Sequence, residues 1–458
     1  MHRSGLYYWW MKKRPKNLSA TKVIAIVFAV IILLGTGLLM LPAASRNGVS
    51  CGFRPALFTA TSATCVTGLS LYDTWSQWSG FGQVVIISLI QIGGLGFMTI
   101  VTLFFFVLRR RIGLKERLVM AQSLGLEDLS GVVRMVKLVL QRTLIIEGAG
   151  AVLLTVRFCF QMPFGKALWW GVFHAVSAFC NAGFDIMGAV EAGGSLMPYV
   201  ADPVVNLVLI ALISLSGLGF FVWEDILKQK RFSKMAVHTR LVLVISAVLT
   251  FGGAALFALL EWNNPETMGG LRAGEKLLAA LFQSVTTRTA GFYTIAQGAL
   301  TDASLVLTDI LMLIGGSSGS TAGGIKTVTA AVLLLSVLAT ARGRSDVTVF
   351  HRRIHPRQIS DAVAIVGMVL LVAFGGAMYL SVANGLPFMD CIYETISAIA
   401  TVGLTTGITP SLTAVSQVIL IVLMFFGRVG VMTISLGFLL SDQTRERYRF
   451  AETKVLIG

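Results

Sequence analysis

Four short stretches carry the residue types that could handle an ion: "ATSATCVTGL" (60–69), "AVSAFCNAGF" (175–184), "QSVTTRTAGF" (283–292) and "ISAIATVGL" (396–404). Each runs through small or hydroxylated residues to a glycine, then Leu or Phe. The glycines are Gly68, Gly183, Gly291 and Gly403, separated by 115, 108 and 112 residues. A missing Cβ lets backbone carbonyls crowd an ion and permits positive φ. One such glycine in an apolar chain is ordinarily a turn or a helix contact. Four in matching contexts, at near-even spacing, indicate an internal repeat. Rings of carbonyl oxygens replace the hydration shell of a cation, so the chemistry expected is desolvation of a cation.

The elements that must position these stretches repeat as well. Apolar runs precede them at 19–42, 132–160, 239–262 and 358–382. Others follow at 81–108, 203–227, 304–341 and 416–440. A run such as "VIAIVFAVIILLGTGLLMLP" (23–42) can cross a hydrocarbon core of ~30 Å. It is about twice the length of a signal-peptide h-region and reads as a retained helix. Between the runs, segments such as "PALFTATSAT" have ~10 residues, ~15 Å as a helix, and reach about halfway. They must re-enter, and the bare backbone that follows must be buried in protein or line a water-filled path. Their C-terminal, negative ends aim at the ring, which favours a cation. The expected fold is an all-α polytopic membrane protein. Four helix–pore-loop–helix repeats surround a pseudo-fourfold central pore, with eight spanning helices and four re-entrant pore helices. The expected divisions are a cytoplasmic segment (1–18), repeat 1 (19–108), linker and repeat 2 (109–227), linker and repeat 3 (228–341), linker and repeat 4 (342–440), and a cytoplasmic tail (441–458).

Composition agrees. The 458 residues are 55% hydrophobic and 13% charged, against about 25% charged in soluble domains. The net charge of +15 is not spread evenly. Residues 3–22, 109–142, 228–240, 342–357 and 445–454 hold 28 of the 37 Lys and Arg. They alternate with stretches richer in acid, such as Asp185, Glu191 and Asp202, or Asp390 and Glu394. This is the positive-inside pattern and predicts both termini in the cytoplasm. Topology accounts for the basic loops, and nucleic acid is not expected; docking of an acidic cytosolic partner or anionic membrane lipid is the secondary reading. The five cysteines form no CxxC pair, the five histidines no metal spacing, and there is no HExxH,. A membrane enzyme acting on lipid or glycan would need clustered His, Asp or Glu; here they are scattered, so the chain is read as no enzyme.

One span is interrupted. Residues 304–341 as a single helix would run ~57 Å. Without 315–326, pieces of ~16 Å and ~22 Å remain, which together span. The surplus is "GGSSGSTAGGIKT" (315–327). A polar loop at mid-membrane must face a cavity. It nearly matches GxxxxGK[ST], with Gly319 and Gly324 in place, but Ile325 stands where Lys is required and Lys326 comes one residue late. The loop reads as a movable gate just under the ring, built from Gly315, Gly316, Ser317, Ser318, Gly319, Ser320, Thr321, Gly323, Gly324 and Lys326; the alternative is a passive wide turn. Arg428, in "MFFGRVGVMTI", lies 25 residues beyond Gly403, where the other units carry Gly94, Gly217 and Gly316. A charge at that depth is costly and usually functional. It reads as an electrostatic barrier at the inner mouth, with a structural salt bridge as the alternative. Glu147 is also intramembrane, either paired with a basic group or protonated. Asp73, Asp185 and Glu394 either concentrate cations at the outer mouth or are solvated charges.

The motifs "CVTGL", "CNAGF", "RTAGF" and "ATVGL" resemble the reduced filter motif of the KtrB/TrkH/HKT superfamily of potassium transporters, and the resemblance covers essentially the whole chain. A short basic segment precedes the first helix, as in KtrB rather than TrkH, which has further N-terminal helices. The resemblance implies filter carbonyls from Cys65, Val66, Thr67 and Gly68; from Cys180, Asn181, Ala182 and Gly183; from Arg288, Thr289, Ala290 and Gly291; and from Ala400, Thr401, Val402 and Gly403. Gly68, which is serine in sodium-preferring plant relatives, points to potassium. No unit has a full TVGYG, so weaker selectivity than a potassium channel's is expected. Cys65 and Cys180 read as small packing residues, and the Arg288 side chain as pointing away from the axis. The resemblance implies potassium uptake across the cell membrane, with a sodium-coupled transporter or a less selective monovalent cation channel as the alternative and sodium as the second candidate ion. It also implies a homodimer with one pore per subunit. A cytosolic, KtrA-like ring of nucleotide-binding regulatory subunits, responsive to ATP and ADP, would gate it; the basic loops and the C-terminal "SDQTRERYRFAETKVLIG" are candidate contact surfaces.

Overall fold

The computed structural model describes residues 20–96, 132–191, 193–344 and 346–430. The expectations for 1–18, for most of the 109–142 linker, for the far end of the first repeat and for the C-terminal tail lie outside the described residues.

Apolar runs become helices and polar glycine-rich joints become turns, four times over. The first unit has α1 (Ala20–Leu39), α2 (Phe53–Cys65) and α3 (Gly80–Leu95). The second has α4 (Val132–Phe158), α5 (Phe164–Phe179), α6 (Pro203–Leu218) and α7 (Phe220–Gln229). In the third, α8 (Val237–Glu261) and α9 (Ala273–Thr286) lead to α10 (Asp302–Leu313), and the interrupted span resumes as α11 (Thr327–Ala341). A two-residue hairpin, β1 (Thr348–Val349) and β2 (Arg352–Arg353), then precedes the fourth unit. That unit has α12 (Pro356–Asn384), α13 (Phe388–Ile399) and α14 (Ala414–Phe425), which passes into a π turn at Phe426–Gly430.

The re-entrant helices α2, α5, α9 and α13 hold 13, 16, 14 and 12 residues, ~18–24 Å. They are longer than the half-crossing expected, because bulky residues ahead of the small-residue stretch also join the helix. Each outer helix (α1, α4, α8, α12) packs on its own re-entrant helix. Each inner helix packs on the next unit's: α3 on α5, α6 on α9, α10 on α13, and α14 back on α2. That last contact closes the ring of four.

By length and composition, three described helices can cross a membrane: Val136–Phe158, Val237–Glu261 and Pro356–Asn384. The bent pair Pro203–Leu218 and Phe220–Gln229 makes a fourth, and Ile24–Leu39, Gly80–Leu95, Thr327–Ala341 and Ala414–Val429 are shorter apolar helices. Outward-facing side chains such as Leu34, Leu259, Leu371 and Val382 are exposed, as a lipid-facing surface requires. Burial concentrates on the re-entrant helices, where Phe58, Trp170, Phe173, Phe282 and Tyr393 are fully enclosed.

One expectation needs correction. The run 203–227 does not cross as one helix. It breaks at Gly219, whose φ is +89°, and α7 leaves α6 at 91°. A left-handed glycine ends a helix without Cβ strain, and the freed Phe220 N–H donates to the Gly319 carbonyl at 2.9 Å. The helix is broken where the third unit's loop docks.

Candidate functional site

Each re-entrant helix ends the same way. The second residue of each quartet (Val66, Asn181, Thr289 and Thr401) is left-handed, with φ of 58°, 58°, 70° and 52°. The fourth is glycine, also at positive φ: 100°, 68°, 83° and 94°. In three units a six-to-one hydrogen bond seals the helix end at 2.8 Å: Thr67 N to Ser62 O, Ala182 N to Ser177 O and Val402 N to Ser397 O, the Schellman pattern. The third unit, with Val285 in place of that serine, closes instead from Ala290 N to Thr286 O at 2.9 Å. Serine hydroxyls add a second brace, Ser62 Oγ accepting from Gly68 N at 3.1 Å and Ser397 Oγ from Gly403 N at 3.0 Å. Three of the four left-handed residues are β-branched, and each such placement costs about 1–2 kcal/mol. Strain of this kind persists where surrounding structure holds it, typically at functional sites. Left-handed residues at alternate positions turn successive carbonyls to one side, which an extended strand cannot do.

The four glycines meet. A Cβ built on Gly68 would lie 2.6 Å from the Ala182 carbonyl oxygen and 3.2 Å from the Cα atoms of Gly183 and Gly403. One on Gly183 would lie 2.9 Å from the Ala290 oxygen and 2.8 Å from the Gly291 Cα. One on Gly291 would meet the Val402 oxygen, and one on Gly403 the Thr67 oxygen, closer still. The contacts run in one rotational sense through all four units, and each involves the carbonyl just before a glycine. Buried hydroxyls at Thr64, Thr67, Thr289 and Thr401 have no protein partner, nor does Asn181 Oδ1. Orphaned buried oxygens cost free energy unless something fills them, and a desolvated cation or its water fits that chemistry.

The Arg288 side chain reaches the outer helix of its own unit. Its guanidinium donates to Thr250 Oγ1 at 2.6 Å, on α8. Cys65 and Cys180 are both fully buried. Cys180 does more than pack: its thiol faces Gln91 Oε1 at 3.7 Å and Glu147 Oε1 at 3.9 Å. Gln91 Nε2 donates to both Glu147 oxygens at 3.2 Å. Among the described residues Glu147 therefore pairs with an amide and not with a base, a partner the sequence left open.

Residues 315–326 form a hydrogen-bonded lobe rather than slack chain. Gly315 N donates to Ile325 O at 2.9 Å, Ile325 N to Leu313 O at 3.1 Å and Thr327 N to Gly316 O at 3.2 Å, closing its neck. Gly323 and Gly324 are crowded against Gly315. Lys326 turns back on the lobe, its Nζ donating to Ala322 O at 2.7 Å and Gly323 O at 3.4 Å. Ser320 Oγ donates to Ser317 O at 2.6 Å. The lobe docks on the α6–α7 break: Ser317 N reaches Gly217 O at 2.9 Å, and Ser317 Oγ donates to Leu218 O. Ser318 alone among 315–324 is exposed. Arg428, in the π turn, is buried and makes no salt bridge among the described residues. Its guanidinium donates to Thr321 O at 2.5 Å, Gly93 O at 2.6 Å and Gly94 O at 3.3 Å. It thus bridges the lobe to the inner helix of the first unit.

The outer acids are engaged locally. Asp73 caps a turn, accepting from Trp75 N at 3.1 Å and Ser76 N at 3.3 Å. Asp185 accepts from Met187 N at 3.0 Å, and Glu394 from Thr409 Oγ1. The α6–α7 break was missed from sequence, although "GGLGF" (93–97) and "SGLGF" (216–220) carry the same signal.

Comparison with known proteins adds four findings. The family described as TrkH, cation transport protein, matches residues 5–447. Potassium/sodium uptake protein NtpJ of Enterococcus hirae is 41% identical over 454 residues, covering 98% of this chain and 99% of that one. Ktr system potassium uptake protein B of Bacillus subtilis is 42% identical over 439 residues, 96% of each chain. Among solved structures, the potassium transporter TrkH from Vibrio parahaemolyticus matches with a TM-score of 0.70 at 19% identity, over 96% of this chain and 87% of that one.

Proposed function

Since the chain belongs to the TrkH family of cation transport proteins, and so to transporters rather than enzymes, we propose that it takes up potassium across the cell membrane through a filter of backbone carbonyls. The observation that carries this reading is the closed ring of Gly68, Gly183, Gly291 and Gly403, each against a neighbour's carbonyl. A throat of main-chain oxygens at fixed spacing exchanges water for protein around a monovalent cation. Membrane potential suffices to drive uptake, at ~2.3 kcal/mol per charge per 100 mV. The relatives named for potassium uptake support the choice of ion. The name of the Enterococcus hirae relative also includes sodium, which favours sodium as a second ion, either coupled or conducted.

In this reading the lobe 315–326 is the gate and Arg428 its pin. The exposed Lys228, Lys230, Arg231, Lys234, Arg342, Arg344, Arg352 and Arg353 lie on connections at the lobe's side of the ring, which supports a cytoplasmic placement of that face and of both termini. The same surface would receive a cytosolic regulatory ring, and the name "Ktr system" on a relative supports a multi-component assembly. A homodimer with one pore per subunit completes the proposal.

Expression in a bacterium lacking potassium uptake tests the core of it. Growth at low potassium should return with the wild-type chain and fail with Gly403→Ala at equal membrane abundance. Growth unaffected by that substitution would end the filter assignment. Deleting 316–323 should raise flux; a folded deletion protein with unchanged or abolished flux would end the gate assignment.

A further inference from the structure

The lobe touches the filter segments themselves, at two equivalent places. Asn181 Nδ2 donates to Thr321 Oγ1 at 3.0 Å, and Thr321 Oγ1 donates onward to Phe179 O at 3.2 Å. In the fourth unit, Gly323 lies against Thr401 Oγ1, and a Cβ on it would come within 2.9 Å of Ala400 O. Asn181 and Thr401 occupy the same quartet position, the left-handed one that sets the direction of the filter carbonyls. Both are buried, at 1% and 0% exposure.

Among the described residues the Asn181 carboxamide has one protein tether: its Oδ1 has no partner, and its amide nitrogen bonds the lobe. Removing that partner leaves a buried donor unsatisfied, which destabilises that side-chain position. The amide must then turn toward water in the opened cavity. Asparagine tolerates the left-handed region better than most residues, but nothing else then fixes its side chain. Displacing the lobe therefore alters the inner rim of the filter in the same step.

We propose that Asn181 is a specificity-determining residue that couples ion discrimination to the lobe through Thr321, so that the pore with the lobe withdrawn separates potassium from sodium less well than the pore with it docked. The inference rests on the filter-and-gate reading above and deepens it. It assigns a role to a side chain where that reading uses only a carbonyl.

The test is a double-mutant cycle on Asn181→Ala and Thr321→Val. Purified protein in liposomes is read for rubidium tracer influx with potassium and sodium as competing ions. Thr321→Val removes the hydroxyl at nearly constant volume. In the wild-type background it should lower potassium-over-sodium discrimination at least three-fold. In the Asn181→Ala background it should change the ratio by less than a factor of about 1.5. Thr321→Ser, which keeps the hydroxyl, should restore the wild-type ratio. Equal effects of Thr321→Val in both backgrounds, or raised influx with an unchanged ratio, would overturn the coupling. Arg428→Gln separates the two levels. If it raises influx while the cycle shows independence, the coupling fails and the gate stands. If it and the 316–323 deletion both leave influx unchanged, the gate itself fails.

Discussion

Replacing Arg428 by lysine and by glutamine separates two ways in which one residue can close a pore. As a charge, it repels an approaching cation. Two unit charges ~8 Å apart interact by ~2 kcal/mol at an effective dielectric of 20, and by ~0.5 kcal/mol in water. The barrier is then worth a factor between ~2 and ~30 in flux. As a pin, it holds the lobe through Thr321 O at 2.5 Å, anchored in turn on Gly93 O and Gly94 O. A hydrogen bond from a charged donor contributes about 1.5–3 kcal/mol, so losing the one to Thr321 shifts the docked lobe by ~10- to 100-fold toward withdrawal. The two estimates overlap, and size alone does not decide between them.

Lysine decides. It keeps the positive charge but not the planar fork, and one ammonium cannot replace a guanidinium bridging two elements. Pinning predicts that Arg428→Lys raises flux ~10-fold, nearly as much as Arg428→Gln. A pure barrier predicts that lysine stays at the wild-type level while glutamine rises. The geometry favours the pin, because the guanidinium is spent on three carbonyls from two elements. Rubidium influx into liposomes under an inside-negative potential, per unit of folded protein, reads the difference. Lysine and glutamine variants both folded and both at wild-type flux would refute either account.

Three other outcomes follow from the packing. Alanine at the ring glycines should impair uptake in the order Gly403, Gly291, Gly68, Gly183, following how closely a Cβ would approach its neighbour; rubidium uptake at matched expression ranks them. Gly219→Ala should increase flux several-fold, since its Cβ would fall 2.6 Å from Ser317 Oγ and 2.8 Å from Ser318 O at φ +89°; the same influx assay reads it, and an unchanged rate would place the lobe's dock elsewhere. Glu147→Leu strands the Gln91 amide nitrogen and should cost about 1–3 kcal/mol, whereas Glu147→Gln retains acceptor and shape; thermal unfolding in detergent should fall for the first and change little for the second.

The ring of glycines was legible in the sequence because its requirement is local: a positive φ and no Cβ leave few choices of residue, and fourfold recurrence turned four weak signals into one strong one. The same logic extends to "GGLGF" and "SGLGF", whose last glycines, Gly96 and Gly219, both have positive φ. The sequence reading used these stretches to align levels but kept the second as a continuous span, since apolar composition carries straight through Gly219. The lobe's composition suggested slack, yet its glycines serve close approach, with Gly315 against Gly323 and Gly324. What could not be read were pairs fixed only by helix packing. Glu147 meets Gln91 across 56 residues, and Asn181 meets Thr321 across 140. No periodicity reports which face of α3 turns toward α4, or how far the lobe rises toward the quartets.

The four quarters are alike at the ring of glycines and unlike beneath it, and one continuous chain makes that possible. In a ring of four identical subunits, an arginine at this depth would appear four times. Four guanidinium groups crowded on one axis would repel each other and any cation by several kcal/mol. A lobe inserted into every inner helix would claim the same central space four times. Among the described residues the third quarter alone supplies the lobe and the fourth alone the arginine, while the first and second present Gly93, Gly94, Gly217 and Leu218 as bare carbonyl acceptors for them. The cost of that asymmetry falls on the filter, whose second positions are Val, Asn, Thr and Thr. Asn181 and Thr401 touch the lobe, so its withdrawal unloads those two sides of the ring. A throat loosened unevenly keeps its carbonyls but not their common radius, and common radius is what ion discrimination at close quarters depends on.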